Sequence, residues 1–520
     1  GALGAGDRLP SKRAFAKHLG VSVVTVEGAY DQLVAEGYVR AVPRSGFYVQ
    51  EIGPNLASFS RISTSAEVKV PLGDSSGAKS ASCRPEARIS GNDGVEKLEK
   101  LARKGAPFCI AHSEEGLAGV SPDAGRKWLA DFTGATAPEG VFPYAAWARM
   151  LRRVLADESE RTVLEASRPQ GSPRLRAAIA AHLRGFRGME VHPDQIVIGS
   201  GAQSLYGLLV QLLGRDLVYG VEDPGYPRLT RIYESNDVTV RPIALDGEGP
   251  ALESLARAGV DVLHCTPSHQ FPTGITVPVS RRRSLLEWAQ SGVATPKDGA
   301  AAGEAHGRSV KASSARPRYL IEDDFDCEFR MAGRPVPPLA ALDGAGRVVY
   351  ANTFSKTLGG AFRIGYMVLP EALAERFRDR LGFYACTVGA LEQLTLARFM
   401  ESGDYERHVN RQRTRYRRLL SALIDALAAS SAGEHLHFAN AGAGLHFLIE
   451  VRGVEGDERD GATFEERVAR RAAIRGVRLA PLGRYRFTGC EAGWGRPAFM
   501  MSFSSVKEET IPEVVGIVSE

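Results

Sequence analysis

Across residues 128–520, short apolar runs alternate with stretches of amphipathic helical period, and a polar or glycine-bearing turn follows several of the runs. Strand-length runs alternating with helices are the pattern of an α/β layered domain. Ligands in such domains sit beyond the carboxyl ends of the strands. The turns after the runs are therefore where chemistry is sought.

The run at 347–351 leads to Ser355 and Lys356, then to paired glycines and Arg363. A desolvated lysine at a strand end stays neutral and can form a Schiff base. Arg363 can clamp a phosphate bidentately, and Thr353 and Ser355 offer hydroxyls to the same group. Taken alone, the segment also reads as a surface loop with a solvated lysine and arginine. The run ending at Ile321 is followed by Glu322, Asp323, Asp324, Phe325 and Asp326. A carboxylate there could keep a pyridine nitrogen protonated, which makes the ring an electron sink. Ile198 to Leu205 reads as strand, small-residue turn and helix start, so the N–H groups of Gly201 and Ala202 suit a phosphate. Tyr226 can stack on a planar ring, and Arg228 can hold a substrate carboxylate. Cys265 to Gly274 is a polar turn after another apolar run.

The first fifty residues read differently. Ser11 caps a helix over 11–19, and Ser22 opens a second running to Glu36, with Val26, Tyr30, Leu33 and Val34 on its inner face. Gly37 ends it, and two short strands follow at 38–42 and 46–50. This is the layout of a winged helix-turn-helix, or of a small helical domain for protein contacts. In the first reading Ser22, Val23, Val24 and Thr25 lie at the major groove. Arg8, Lys12, Arg13 and Arg44 then lie near phosphates, which gives affinity rather than specificity.

Between these zones, residues 51–127 are rich in Ser, Gly, Ala and charge with weak periodicity, which reads as a flexible linker. Residues 291–317 form a low-complexity surface insertion between a helix (281–290) and a strand (319–323). The net charge of +4 over 520 residues is too weak to announce a nucleic-acid or membrane partner. Six cysteines without a CxxC pair argue against a disulfide framework or a cysteine zinc site, and fit a reducing cytoplasm. His435 and His437 lack nearby acidic or cysteine partners, so no metal site is expected. His264 reads as a core histidine, and the arginines of 405–420 read as a solvated helix face. No apolar stretch reaches membrane-spanning length, and no signal pattern opens the chain.

Two resemblances add to this reading. GDRLPSKRAFAKHLGVSVVTVEGAYDQLVAEGYV resembles the GntR-type winged helix. It departs in having Val23 where an arginine is usual and in lacking the helix that precedes the Gly-Asp pair. Seven further segments are FPYAAWARMLRRVL (142–155), SGAQ (200–203), EDPGYP (222–227), TPSHQFPTG (266–274), EDDFD (322–326), TFSKTLGGAFRIGY (353–366) and GDYERHVNRQRTRYRRLL (403–420). In this order they resemble the fold-type I aminotransferase domain of the MocR subfamily of GntR regulators, which binds pyridoxal 5′-phosphate (PLP). The fold implied is α/β, with large and small aminotransferase-like domains over 128–520 behind a winged helix-turn-helix over 1–50.

The resemblance implies roles. Lys356 would carry the internal aldimine, and Asp323 would pair with the pyridinium nitrogen. Arg363, Gly201, Ala202, Thr353 and Ser355 would bind the phosphate, and Gln203 would also contact the cofactor. Tyr226 would stack on the ring, Arg228 would meet a substrate carboxylate, and His269, Gln270 and Phe325 would line the cofactor. Phe325 replaces the tyrosine usual in the family, Ala166 replaces another, and Phe499 to Phe503 lacks the usual carboxylate-binding arginine. Arg484, Arg486 and Arg496 are candidates to replace that arginine. The expected function is a cytoplasmic, homodimeric, PLP-dependent regulator. It would bind an operator near its own or neighbouring genes and sense PLP, an amino acid or an amine through aldimine exchange. The alternatives are a working PLP-dependent aminotransferase with an N-terminal DNA-binding module, and a DNA-binding protein that uses no cofactor.

Overall fold

The computed structural model describes residues 7–19, 26, 29–30, 33, 39–42, 46–49, 126–134, 139–291, 316–331, 336–453, 463–487 and 496–520. The expected linker falls outside them except for residues 126–127, and so does the expected insertion except at its ends.

At the N-terminal end, the helix Lys12–Leu19 begins after Ser11, whose Oγ accepts the Ala14 N–H at 3.2 Å. This is the expected cap, satisfying one of the first-turn donors. Strands β1 (Val39–Val42) and β2 (Gly46–Val49) form an antiparallel ribbon pairing Val39 with Val49. Residues 7–9 extend it, through Leu9 N–H to Phe47 O and Val49 N–H to Asp7 O. Ala16, Val26 and Tyr30 are buried beneath the ribbon, with the Tyr30 ring edge-on to Phe47 at 5.1 Å. The Tyr30 hydroxyl donates to Pro10 O at 2.9 Å, so the one polar atom of this small core is satisfied.

The strands that follow are β3 (Ala130–Asp131), β4 (Ile196–Gly199), β5 (Val218–Asp223), β6 (Thr239–Asp246), β7 (Gly249–Pro250), β8 (Val262–Cys265), β9 (Tyr319–Asp323), β10 (Val348–Thr353) and β11 (Gly365–Val368). Eight of them form one sheet in the order β4-β11-β10-β9-β8-β5-β6-β7. The pairs β10–β9, β9–β8, β8–β5 and β5–β6 are parallel, and β11 runs antiparallel to both its neighbours. The reversal of β11 follows from its connection: residues 354–364 are too few for a crossover helix, so the chain turns back. Every residue of β4, β8 and β11 is buried, as expected for strands covered on both faces.

One face packs against the helices Ala202–Leu213, Pro227–Glu234 and Glu371–Leu381 through Leu209, Tyr219, Tyr233 and Phe377. The other face meets Pro173–Arg187 and Ala390–Glu401 through Ile179, Tyr350, Leu396 and Phe399. Fully burying one such side chain stabilises by roughly 1.5–3 kcal/mol, so these two layers outweigh any single polar contact described below.

Past the long helix Asp404–Ala428 come β12 (Leu436–Ala439), β13 (His446–Val451), β14 (Val477–Arg478), β15 (Ala480–Pro481) and β16 (Ala498–Ser502). They build an antiparallel sheet, β12-β13-β16-β15, while β14 pairs with β3. Leu423, Phe447, Phe499 and Val514 form its core. The helix Phe464–Ile474 starts from a capping box between Thr463 and Glu466. Among the described residues no helix is long and apolar enough to cross a membrane. Layered α/β architecture is what the sequence pattern predicts, and the second, smaller sheet is in keeping with the small domain that the resemblance implies.

Candidate cofactor site

Strands β4, β5, β8, β9 and β10 run in the same direction, so the turns singled out in the sequence gather at one edge of the sheet. Lys356 lies there on the one-turn helix Ser355–Leu358 directly after β10. It is half-buried. Desolvation pushes its pKa below the ordinary lysine value, while the nearby negative charge of Asp326 pulls the other way. A lysine so placed is a better nucleophile than a solvated one.

Arg363 ends the same turn in the left-handed region, at φ +49°. Its guanidinium lies over Gly201, and Nη2 donates to Ser200 O at 3.2 Å. A Cβ at Gly201 would stand 2.7 Å from Arg363 Nη2, so only glycine allows this approach; Gly201 also has φ +82°. Gly201 caps the helix Ala202–Leu213, whose first-turn N–H groups, including those of Ala202 and Gln203, have no intrahelical acceptor. The N–H of Gly201 itself is bonded to Gly199 O at 2.8 Å. Thr353 is drawn in too, since a Cβ built at Gly365 would meet Thr353 Cγ2 at 3.1 Å and Gly201 Cα at 3.3 Å. Ser355 starts the helix that holds Lys356. Helix dipole, glycine and guanidinium converge here as an anion cradle of the kind that holds phosphate.

Three successive carboxylates at the end of β9 have different partners. Glu322 is fully buried and accepts from Arg282 Nη1 at 3.2 Å and from the N–H groups of Leu339 and Ala340 at 2.9 Å each. Burial raises its pKa to about 7, with Asp324 adding and Arg282 opposing. Asp324 is held by Arg187 Nε at 2.9 Å and by the Tyr350 hydroxyl at 2.7 Å. Only Asp323 faces the Tyr206 side, where it accepts from the Tyr206 hydroxyl at 2.5 Å. His264, expected as an ordinary core histidine, bonds Tyr233 at 2.6 Å and turns Nε2 toward Asp323 at 3.8 Å.

Tyr226 is 42% exposed and meets Phe271 edge-on at 5.8 Å. Burial of its phenol raises the pKa, and Arg228 beside it opposes that. Phe325 is half-buried at 6.2 Å from Phe271 and parallel to His446 at 6.3 Å. His269 is buried, with Nδ1 at 3.1 Å from Asp326 and its ring 3.9 Å from His446. A Cβ at Gly444 would overlap His269 Nδ1, so this packing requires that glycine. Gln270 is also buried, and its amide is engaged inward: Nε2 donates to Pro224 O at 3.0 Å and Glu222 at 3.2 Å, and Oε1 accepts from Thr273 N–H at 3.0 Å. His269, Asp326 and His446 offer ligand atoms within 4.8 Å of one another, yet both His269 nitrogens and His446 Nε2 already face protein partners.

Sequence reasoning did not single out Tyr206, Phe271, Asp326, His446 or Tyr485. Tyr206 lies one helical turn past Ala202, a spacing that could have revealed it. Tyr485 meets Phe271 edge-on at 5.2 Å, and its carbonyl accepts the Gly225 N–H at 2.9 Å. Arg484 and Arg486, two of the three candidate arginines, flank it in the chain. Arg496 is exposed at the start of β16. His435 stands 3.5 Å from Glu434, and His437 Nδ1 is 3.0 Å from Arg452.

In the N-terminal module, the Arg8 backbone bridges to Tyr48, its guanidinium lies beside Gly46, and Lys12 Nζ lies 5.2 Å from the Phe47 ring, so both basic side chains lie against the ribbon. Arg13 is on the first helix. Ser22, Val23, Val24, Thr25 and Arg44 lie outside the described residues.

The family model for aminotransferase class I and II matches residues 139–471, and that for bacterial regulatory proteins of the gntR family matches residues 1–49. An uncharacterized HTH-type transcriptional regulator of Bacillus subtilis, YhdI, is 31% identical over 495 residues, 94% of this chain and 87% of the relative. The probable rhizopine catabolism regulatory protein MocR of Rhizobium meliloti is 28% identical over 500 residues, covering 94% and 84%. The chain belongs to the MocR subfamily of GntR-type regulators. Among solved structures, the kynurenine aminotransferase of Pyrococcus horikoshii, crystallised with PMP, is similar at a TM-score of 0.60. It is 22% identical and covers 83% of this chain and 94% of its own. This MocR-type chain thus joins a GntR helix-turn-helix, a DNA-binding module, to a domain with the fold-type I aminotransferase fold of PLP enzymes. Its homologues are HTH-type transcriptional regulators.

Proposed function

We propose that this protein regulates transcription by binding an operator near its own or neighbouring genes and by reading PLP, or an amine that reacts with it, at Lys356. The observation that carries the reading is the desolvated Lys356 on the same turn as the Arg363–Gly201 cradle. The donor set fits the group. Arg363, Ala202, Gln203, Thr353 and Ser355, arranged around Gly201, would hold a phosphate. Asp323, oriented by Tyr206, would face a pyridine nitrogen and keep it protonated. Tyr226 would cover one ring face, with Phe325 and His269 along an edge. Arg228 would receive an effector carboxylate. When bound, PLP supplies an aldehyde for which Lys356 and a small-molecule amine or amino acid compete.

Differential affinity for two states is what a regulator needs, and a lysine that changes partner supplies it. Phe325 favours this reading over sustained turnover, since it offers no hydroxyl at the place where the family has tyrosine. The intact Lys356 and Asp323 arrangement favours the second reading, an active aminotransferase carrying a DNA-binding module. As fold-type I proteins complete their site across a two-fold axis, a cytoplasmic homodimer is part of the proposal.

The test is a mobility-shift assay with the gene's own upstream DNA against scrambled competitor, with and without PLP and with Lys356→Ala. Specific binding that responds to PLP in the wild type but not in the variant supports the regulator. Specific binding indifferent to both, with steady amino transfer to 2-oxo acids, supports the enzyme.

A further inference from the structure

The helices Pro173–Arg187, Ala390–Glu401 and Asp404–Ala428, with Glu328 after β9, line an open cavity of about 530 Å³ that Lys356 does not line. That is the size of a small-molecule site. Its walls are of two kinds. Phe186, Met400 and Val409 make an apolar side, with Phe186 stacked on His182 at 5.4 Å. The polar side carries Glu328, Glu401, Glu406 and Arg413.

Glu328 is the telling residue. It is 4% exposed and lines the cavity, and among the described residues its Oε2 has no hydrogen-bond partner. Its Oε1 accepts from the Asn352 amide at 3.4 Å. A buried carboxylate oxygen without a donor is costly. Arg413, on the same wall, gives its donors elsewhere. Arg413 donates through Nε and Nη2 to the Glu328 carbonyl at 2.9 and 2.8 Å, and through Nη1 to Asn410 at 3.0 Å. Glu401 is held by Arg174 at 2.6 and 2.8 Å, and Glu406 faces His182 at 3.4 Å. Of the three carboxylates at the cavity, Glu401 has Arg174 and Glu406 has His182, and among the described residues one oxygen of Glu328 is still unmatched.

We propose that this cavity binds a small organic cation, an amine whose charge faces the Glu328 and Glu406 side of the cavity and whose apolar body lies against Phe186, Met400 and Val409. The site is separate from Lys356 and needs no reaction with a cofactor. It is nevertheless joined to the cofactor edge, because Asn352, which reaches Glu328, accepts the Thr353 N–H at 2.6 Å on Oδ1.

The probe is N,N-dimethylbenzylamine, a tertiary amine that carries the charge and apolar body but cannot condense with an aldehyde. Its binding to the full-length protein is followed by calorimetry, with benzyl alcohol as the neutral counterpart. Saturable binding of the amine alone is expected, weakened about tenfold or more by Glu328→Gln and unchanged by Lys356→Ala. Glu406→Gln, at a more exposed position, is expected to weaken it about threefold and serves if Glu328→Gln does not fold. The proposal is overturned by no binding to the wild type, by equal binding of benzyl alcohol, or by binding lost in Lys356→Ala. Binding that survives in the folded glutamate variants overturns it as well.

Discussion

The Tyr206 hydroxyl donates to Asp323 Oδ2 at 2.5 Å, from the helix whose first turn carries Ala202 and Gln203. One rigid element thus sets both the anion cradle and the carboxylate. Tyr206→Phe should leave Asp323 unoriented and weaken PLP binding about tenfold, the scale of one hydrogen bond to a charged group. Fluorescence titration with PLP checks this, and an unchanged dissociation constant would separate Tyr206 from the site.

Gly201→Ala is expected to act through space. Its Cβ would stand 2.7 Å from the Arg363 guanidinium, at a φ of +82° that L side chains rarely adopt. Stability should fall by about 1–3 kcal/mol and the phosphate cradle should open. Thermal unfolding gives the first effect. The second is read as loss of PLP affinity with retained affinity for phosphate-free pyridoxal. Loss of both affinities in equal measure counts against a phosphate role for this turn.

Lys356→Ala should abolish borohydride-trapped cofactor on the protein while leaving the unfolding temperature within a few degrees of the wild type, because among the described residues the lysine forms no ion pair and Asp326, the charge near it, pairs with His269. Mass spectrometry of the reduced protein decides it. A trapped adduct on another lysine would move the site elsewhere.

Glu222 supplies a pH test. Burial raises its carboxyl from an ordinary 4.5 to about 7, against the lowering bonds from Thr266 and Gln270. The folded protein therefore holds a proton that the unfolded chain releases earlier. Its contribution to stability is full below about 4.5 and is lost as pH rises to about 7. Against Glu222→Gln, which does not titrate, the wild type should lose stability across that window by at most about 1.4 kcal/mol per pH unit. Urea unfolding at several pH values measures the difference, and parallel curves would contradict the raised carboxyl.

Arg187 and Asp324 are 2% and 0% exposed at 2.9 Å. Asp324→Asn should cost about 3–5 kcal/mol by leaving the guanidinium buried without its charge partner. Denaturant unfolding checks it, and a loss under about 1 kcal/mol would mean that water or another acceptor replaces Asp324.

Much of the fold follows from local pattern. The apolar runs are strands because a covered parallel sheet demands continuous burial, and Ser11 caps its helix because its oxygen reaches Ala14. Lys356, Arg363, Gly201 and Asp323 are legible because turn chemistry is written within a few residues of a strand end. What local pattern does not carry is pairing at long range. His269 meets His446 only because β13 of the small sheet docks beside the large one, and it meets Asp326 because the turns after β8 and β9 are neighbours. The aromatic neighbours of Phe271 come from four separate segments, at Tyr226, Phe325, His446 and Tyr485. Gln270 reads as a cofactor neighbour from its turn, yet its amide fastens that turn to Glu222 and Pro224.

Side chains alternate along a strand, so Glu322 and Asp324 leave β9 on one side and Asp323 on the other. Arg282 and Arg187 each wait on the first side with a single buried acid. A slip of β9 by one position would leave Asp323 as the one acid for two buried arginines and deliver two carboxylates to the side of Tyr206. The two buried ion pairs therefore act as a key with two teeth: they let the strand seat in one frame only, and that frame presents a single negative charge to whatever lies against Lys356.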